Sequence, residues 1–357
     1  LKLAPQNLFA HAGEMSLGVE RDGRRLLERD AGARRVALHF NGAHQYFPLA
    51  ALFDQAAGKH WPLITSDGRD LVEFKPDVVV VGGTQTAQVR DLVPNALIVS
   101  VPAFLASQNR HRAAFDGADI VVAPGQIVGD AWVKLGLIDA LQVRVCGHLP
   151  LDPLFRGDHI PLPRALMDAG ATVLYAPGQR PQMSSAEMLG ENIVELIRGE
   201  RHDVTLVIKP HPETFVRQPK WIETWAKVAH EHDRVVLVDD PDAEIVPYMK
   251  AADVLVSDVS STIFDFLTVD RPILLLRNPD HAADEEAYDP QGIEWRWREV
   301  GRDVGAVENL ARAVDLALKT PDAGTELRDR YRQALFGDTQ DGLTAARIID
   351  LITELST

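Results

Sequence analysis

Residues 252–267, Ala-Asp-Val-Leu-Val-Ser-Asp-Val-Ser-Ser-Thr-Ile-Phe-Asp-Phe-Leu, hold a dense set of groups able to bind an anion. The apolar run from Val254 to Ser257 reads as a buried strand, followed by a tight turn and a helix opening at Ser260-Ser261-Thr262. Three hydroxyls and the unpaired N–H groups of a helix start would converge there. The helix macrodipole adds about half a positive charge, so phosphate is the expected occupant. One hydroxyl suffices for an N-cap, and three in a row exceed what capping needs. Asp265, on the helix that follows, reads as a hydrogen-bonding residue, for example to a ribose hydroxyl.

A second constellation follows the β-branched run Val204 to Ile208, which ends in Lys209-Pro-His-Pro212. Each residue before a proline is pushed to extended geometry, so Lys209 and His211 sit in a stiff segment just past the carboxyl end of a strand. Ligands of open parallel α/β sheets bind at that edge. A histidine there can act as general base, phosphate hydrogen-bond donor or metal ligand. Arg180 lies beyond the run Thr172 to Tyr175, and Arg277 ends the run from Ile273. An arginine fork suits a diphosphate. Together these residues put phosphate-binding chemistry on one edge of one sheet.

The elements that must position them are short apolar strands alternating with helical stretches. In the first half they read as Arg35 to Phe40, Pro62 to Thr65, Val78 to Val81, Ala96 to Val101, Ile120 to Ala123 and Val143 to Cys146. Continuous apolar runs of this kind suit parallel sheets covered on both faces. A length of 357 residues suits two domains of about 160 to 180 residues. The expected division is 1–152, 153–340 and a closing helix at 341–357, with the Pro- and Asp-rich stretch 150–168 as hinge. Residues 278–303 read as a variable loop.

Composition excludes several classes. The net charge of −15 argues against nucleic acid as a partner, because a phosphate backbone wants a broad basic field. A local basic pocket for an anionic donor remains compatible with it. The single cysteine, Cys146, permits neither an internal disulfide nor a two-cysteine metal site and reads as structural. No carboxylate or histidine cluster has metal-ligand spacing, so neither metal nor cofactor is expected. No apolar run approaches the ~18 residues needed to span a bilayer. The chain opens on Leu1 rather than Met, so sequence preceding it is expected. Arg21, Arg24, Arg25, Arg29, Arg34 and Arg35 form a basic cluster that reads as a solvated face, or as the segment a peripheral membrane contact would use.

Lys209-Pro-His-Pro212 resembles a box of the CDP-glycerol glycerophosphotransferase family, the teichoic-acid polymerase-like enzymes. So do Ala252-Asp253 through Ser257-Asp258-Val259-Ser260-Ser261 with Phe264-Asp265, Arg271-Pro272-Ile273, and Phe336 with Asp341-Gly342 and Arg347-Ile348-Ile349. Gly147 with Asp152 and Leu154, and Leu174 to Pro177 with Arg180, fit more loosely. The similarity covers roughly residues 145 to 355. It implies an α/β fold of GT-B type: two Rossmann-like domains whose parallel sheets face a cleft. It also implies transfer of a polyol phosphate from a CDP-activated donor to a hydroxyl of a cell-envelope glycopolymer or lipid-linked acceptor, at the cytoplasmic side of the membrane. Carried over by position, His211 sits at the donor phosphates, Ser260, Ser261 and Thr262 hold them, and Arg180 matches the arginine after the first strand of the donor domain.

The N-terminal half departs from the family. Where a Trp-His-Gly box with its catalytic histidine is usual, Ala96 to Ser107 contains no histidine, and Leu149-Pro150 stands where Pro-Arg is usual. Phe40-Asn-Gly-Ala-His44, following the first strand, supplies the best substitute, His44, with His39, His148 and Glu14 as weaker candidates for the acceptor-side base. Gly82-Gly83-Thr84 lies at a comparable strand end without a full nucleotide-binding glycine pattern. The alternatives are a glycosyltransferase using a nucleotide sugar, a sugar-nucleotide epimerase, and a non-catalytic sugar-nucleotide or polymer binding protein.

Overall fold

A computed structural model of the chain describes residues 11–12, 15, 23–28, 30–83, 85–105, 112–285 and 288–355. The chain divides into two compact units, one formed by the residues up to Gly157 together with those from Ala334 on, the other essentially by Asp158–Gln333.

In the first unit β1 (Arg35–His39), β2 (Trp61–Thr65), β3 (Val78–Val81), β4 (Leu97–Ser100), β5 (Ile120–Ala123) and β6 (Val143–Val145) form one parallel sheet in the order β2-β1-β3-β4-β5-β6. Side chains alternate across a strand, and both faces are apolar. Val36, Leu38, Val78, Val80, Val99 and Val122 face one core, while Ala37, Val79, Val81 and Ile98 face the other with Leu71 and Val89. The first core is closed by Ala345, Ile348, Ile349 and Ile352 of the last helix, Thr344–Glu354.

That helix is latched by residues of the family-like pattern. The buried Asp152 carboxylate accepts the N–H groups of Thr344 and Ala345 at 3.3 and 3.1 Å, satisfying two donors of the helix start. Gly147 has φ +119°, and a Cβ there would meet Thr344 Oγ1 at 2.3 Å. Gly342 (φ +69°) likewise leaves only 2.6 Å between a would-be Cβ and the Asp152 carbonyl oxygen, so both positions require glycine. Cys146 is buried, and burial pushes its thiol up to about 11, an unreactive state.

The second unit holds β7 (Thr172–Tyr175), β8 (Thr205–Ile208), β9 (Val235–Leu237), β10 (Val254–Ser257), β11 (Ile273–Leu275) and β12 (Arg302–Asp303). Its sheet is parallel, in the order β12-β11-β10-β7-β8-β9, which is the Rossmann winding. Trp221 and Trp225 of the helix Pro219–Glu231 pack against Tyr175, Leu206 and Ile208. The stretch 278–303 is not the loop expected. It contains the turns Ile293–Arg296 and Arg298–Val300 and ends in β12. Trp295 stacks on His281 at 4.8 Å and meets Tyr288 edge-on at 5.1 Å, so apolar area anchors the segment.

No helix among the described residues is long and apolar enough to cross a membrane. In the N-terminal basic cluster, Arg35 pairs with Asp77 at 3.1 Å, Arg34 donates to the carbonyls of Ala31 and Ala33, and Arg24 lies over Trp61. Arg21, Arg29 and Glu14 lie outside the described residues.

Candidate functional site

The carboxyl ends of the second sheet's parallel strands share one edge, and the loops after β8, β7, β10 and β11 follow one another along it. They carry Lys209 and His211, Gly178 to Arg180, Asp258 to Thr262, and Arg277. The winding reverses between β7 and β10, which is where open α/β sheets bind ligands.

A buried carboxylate braces this reversal. Asp258 is 0% exposed. Its Oδ1 accepts the N–H of Gly178 at 2.7 Å and of Val259 at 2.5 Å. Its Oδ2 accepts the N–H and hydroxyl of Ser185 at 2.6 and 2.7 Å. Tyr175 completes a relay, its hydroxyl 2.9 Å from Ser185 Oγ. Burial pushes the Asp258 carboxyl pKa up, and the four donors pull it back. Gly178 lacks a Cβ of necessity: one would stand 2.7 Å from the Val259 carbonyl oxygen. The buried Arg298 donates to the carbonyls of Asp258 and Leu276 at 2.9 and 3.0 Å. Asn278 donates to those of Pro181 and Ser184. The loops after β7, β10 and β11 are thereby tied into one surface. Sequence reading assigned Asp258 no part in this. The available signal was a carboxylate directly after the buried strand Val254–Ser257.

Against that surface the expected cations divide. Lys209 is 4% exposed, and its Nζ meets only the Pro210 carbonyl oxygen, at 3.4 Å. No carboxylate among the described residues pairs with it. Burial pulls the ammonium down to about 8, with Asp240 and Asp242 pulling weakly upward. A desolvated ammonium without a counter-ion is a poised anion ligand. Arg180 instead reaches both oxygens of Asp284 at 3.2 and 3.1 Å, and Arg277 pairs with Asp303 at 3.1 Å. Both arginines are thus engaged by carboxylates rather than standing open for a diphosphate.

His211 Nδ1 accepts the N–H of Glu213 at 3.1 Å. The neutral ring therefore carries its hydrogen on Nε2, which makes that atom a donor rather than a base. The helix after β10 is shorter than its sequence suggested: one α turn, Thr262–Asp265, continued by the 3-10 turn Phe266–Val269. Its macrodipole is correspondingly small. Ser260 Oγ accepts the Thr262 N–H and donates to Thr262 Oγ1, both at 3.2 Å, so Ser260 does the capping. Ser261 precedes the turn and Asp265 ends it, both half-buried.

In the first unit, His39 is 7% exposed with Nδ1 3.1 Å from the Thr65 carbonyl oxygen. Burial lowers its pKa. The contact ties β1 to β2. His148 is buried beside Phe336, with ring centroids 6.3 Å apart. His44 is exposed, at the start of the helix Ala43–Ala56, its Nε2 3.3 Å from Gln45 Nε2. No cluster of three or more metal-ligating side chains occurs among the described residues.

Among solved structures, the S. aureus MnaA–UDP co-structure is similar over 90% of this chain and 96% of its own, with 17% identity and a TM-score of 0.62. The wall teichoic acid polymerase TagF is similar over 98% and 94%, with 12% identity and a TM-score of 0.62. A Listeria monocytogenes structure described as a UDP-N-acetylglucosamine 2-epimerase covers 90% and 96%, at 16% identity and 0.63. At such identities these likenesses establish the fold, which is α/β of GT-B type. No curated protein sequence matches the chain. The profile of CDP-Glycerol:Poly(glycerophosphate) glycerophosphotransferase matches residues 157–354, more than half of the chain. With its Lys-Pro-His-Pro and Ser-Asp-Val-Ser-Ser segments on one sheet edge, the chain belongs to the CDP-glycerol:poly(glycerophosphate) glycerophosphotransferase family.

Proposed function

We propose that the protein moves a polyol phosphate, of the glycerol phosphate kind, from a CDP-activated donor to a hydroxyl of a cell-envelope glycopolymer or lipid-linked acceptor. Family membership supports the coarser statement, a transferase that uses a nucleotide donor. The observation that carries the reading is Lys209, a buried ammonium that no carboxylate among the described residues pairs with, on the edge where the sheet winding reverses. An anionic donor would supply the missing charge.

In this reading Lys209 and Ser261 hold the donor phosphates, with Ser260 and Thr262 shaping the turn and Asp265 near the ribose. Arg180 and Arg277 join them by exchanging Asp284 and Asp303 for phosphate oxygens. The acceptor oxygen attacks the distal phosphorus and its proton passes to His44. The bond from that phosphorus to the bridging oxygen breaks, and CMP leaves with the bond's electron pair. His211, through its Nε2 hydrogen, stabilises the charge that grows on the leaving phosphate, work worth ~10²-fold or more in rate. The reaction takes place in the cytoplasm, and the N-terminal arginines would meet the membrane of a lipid-linked acceptor.

Calorimetric titration with CDP, UDP, GDP and CMP, on the natural protein and on Lys209→Met, tests this. CDP should bind most tightly, and the variant should lose at least ~10-fold, as expected when a charge-assisted contact goes. Equal affinity in a folded variant would remove Lys209 from the site. Preference for UDP would turn the reading to sugar transfer or epimerisation.

A further inference from the structure

We propose that Asp284 is a built-in competitor of the donor: its carboxylate occupies the Arg180 guanidinium in the ligand-free protein and must be displaced before that arginine takes a phosphate. The role rests on the donor reading above, whereas the contact itself belongs to the structure. Arg180 lies two residues beyond Gly178 in a loop held from three sides. The N–H groups of Met183 and Ser184 donate to its carbonyl oxygen at 3.0 and 2.7 Å. Asn278, just past β11, donates to the carbonyls of Pro181 and Ser184 at 3.1 and 2.8 Å. Gln218 donates to the carbonyl of Gln179 at 2.9 Å, and it is the N-cap of the helix Pro219–Glu231 that follows the Lys209-Pro-His-Pro212 segment. The backbone of Arg180 is thereby fixed against the loops after β8 and β11, and its guanidinium is the part left to adjust.

Arg180 Nη1 donates to both Asp284 oxygens, at 3.2 and 3.1 Å, and the Asp284 side chain is 10% exposed. A guanidinium bonds carboxylate and phosphate oxygens in the same geometry, so Asp284 stands in for the phosphate. An arriving phosphate repels the carboxylate it replaces, and the carboxylate has water within reach. Ala283 and Glu285, on either side of it, are exposed. Its backbone need not follow. The Asp284 carbonyl oxygen accepts the Tyr288 N–H at 2.8 Å, and Tyr288 packs edge-on against His281 and Trp295. An ion pair with one partly exposed member costs little to break. Every ligand that uses Arg180 still meets that cost, so its observed affinity falls below the intrinsic one by the fraction of molecules in which Asp284 has already let go. The same linkage runs in reverse: the return of Asp284 to Arg180 favours departure of the phosphate it replaces.

The test is a double-mutant cycle on the full chain: Asp284→Asn, Arg180→Gln and the two together, with Asp284→Ala as a second way of removing the charge. Calorimetric titrations with CDP and with inorganic pyrophosphate, at one fixed salt concentration, read the affinities. Asp284→Asn and Asp284→Ala should each bind both probes about three- to tenfold more tightly than the natural protein, the scale of one partly exposed ion pair. Arg180→Gln should weaken binding, and adding Asp284→Asn to it should bring no gain, because the gain belongs to the released guanidinium. The proposal is overturned if both Asp284 variants bind the probes no more tightly than the natural protein or fail to fold, which would make Asp284 a support of its loop. It is also overturned if the gain persists without Arg180, which would make it a general effect of removing negative charge, or if neither probe binds any of the proteins. Pyrophosphate showing the expected pattern while CDP binds no better than pyrophosphate would count against the donor reading and leave Asp284 in its role.

Discussion

Lys209 gives the sharpest consequences for single residues. In the folded chain its pKa lies at about 8, against an ordinary 10.5. Between those values the unfolded chain keeps a proton that the folded one has lost, so stability rises with pH across that window. Below about pH 8 the buried charge costs stability in full. Lys209→Met should therefore raise the stability of the ligand-free protein at pH 7 by about 2–3 kcal/mol, read as a higher melting temperature, while nucleotide affinity falls. A variant that loses both would make Lys209 part of the core instead. The hydroxyls separate in a parallel way. Ser260→Ala should lose about 0.5–2 kcal/mol of stability, because Ser260 caps the Thr262 N–H. Ser261→Ala should weaken nucleotide binding by about 1–3 kcal/mol. If the two variants cannot be told apart by unfolding and titration, the division of labour in this turn is wrong.

Among the elements, the loops after β7 and β10 are rigid because one carboxylate serves both. Asp258→Asn turns one acceptor oxygen into a donor facing N–H groups. The expected loss is about 2–4 kcal/mol, the range for breaking a buried charged hydrogen-bond set. Hydrogen exchange should quicken at Gly178 and Ser185 while the strands stay protected, since local opening follows local loss of bonds. KM for the donor should rise more than kcat falls, because the change loosens a binding surface. Uniform exchange across the whole second unit would show that the contact supports the fold at large. The last helix shows the same economy in the first unit. Asp152, Gly147 and Gly342 belong to the family-like pattern, and what they do in the structure is hold Thr344 and Ala345 in place.

For the whole molecule, much of the architecture was legible because the strands are buried on both faces and so read as unbroken apolar runs. Val78–Val81 and Val254–Ser257 fall where those runs lie. Two strands were missed: Val235–Leu237, although Val235 to Val238 is itself an apolar run, and Arg302–Asp303, whose two polar residues show no period. The candidate site was legible in its chemistry and not in its pairing. Strand ends announce Lys209, His211 and Ser260. The partners that decide their roles lie far away in sequence: Gly178 and Ser185 stand 80 and 73 residues from Asp258, and Asp284 stands 104 from Arg180. Contacts of that span follow from topology, which local patterns do not carry. The net charge of −15 sharpens the central claim, since in the proposed reading an anionic donor binds against the field of the whole chain with Lys209 as the buried cation of its site. A CDP titration across pH, in buffers of different ionisation enthalpy, measures that dependence. Affinity should change little between pH 7 and pH 8 and fall roughly tenfold per unit above about pH 8, where uptake approaches one proton per CDP. Proton uptake should vanish in Lys209→Met. CDP affinity that is flat through pH 9, with no proton exchanged, would contradict the account.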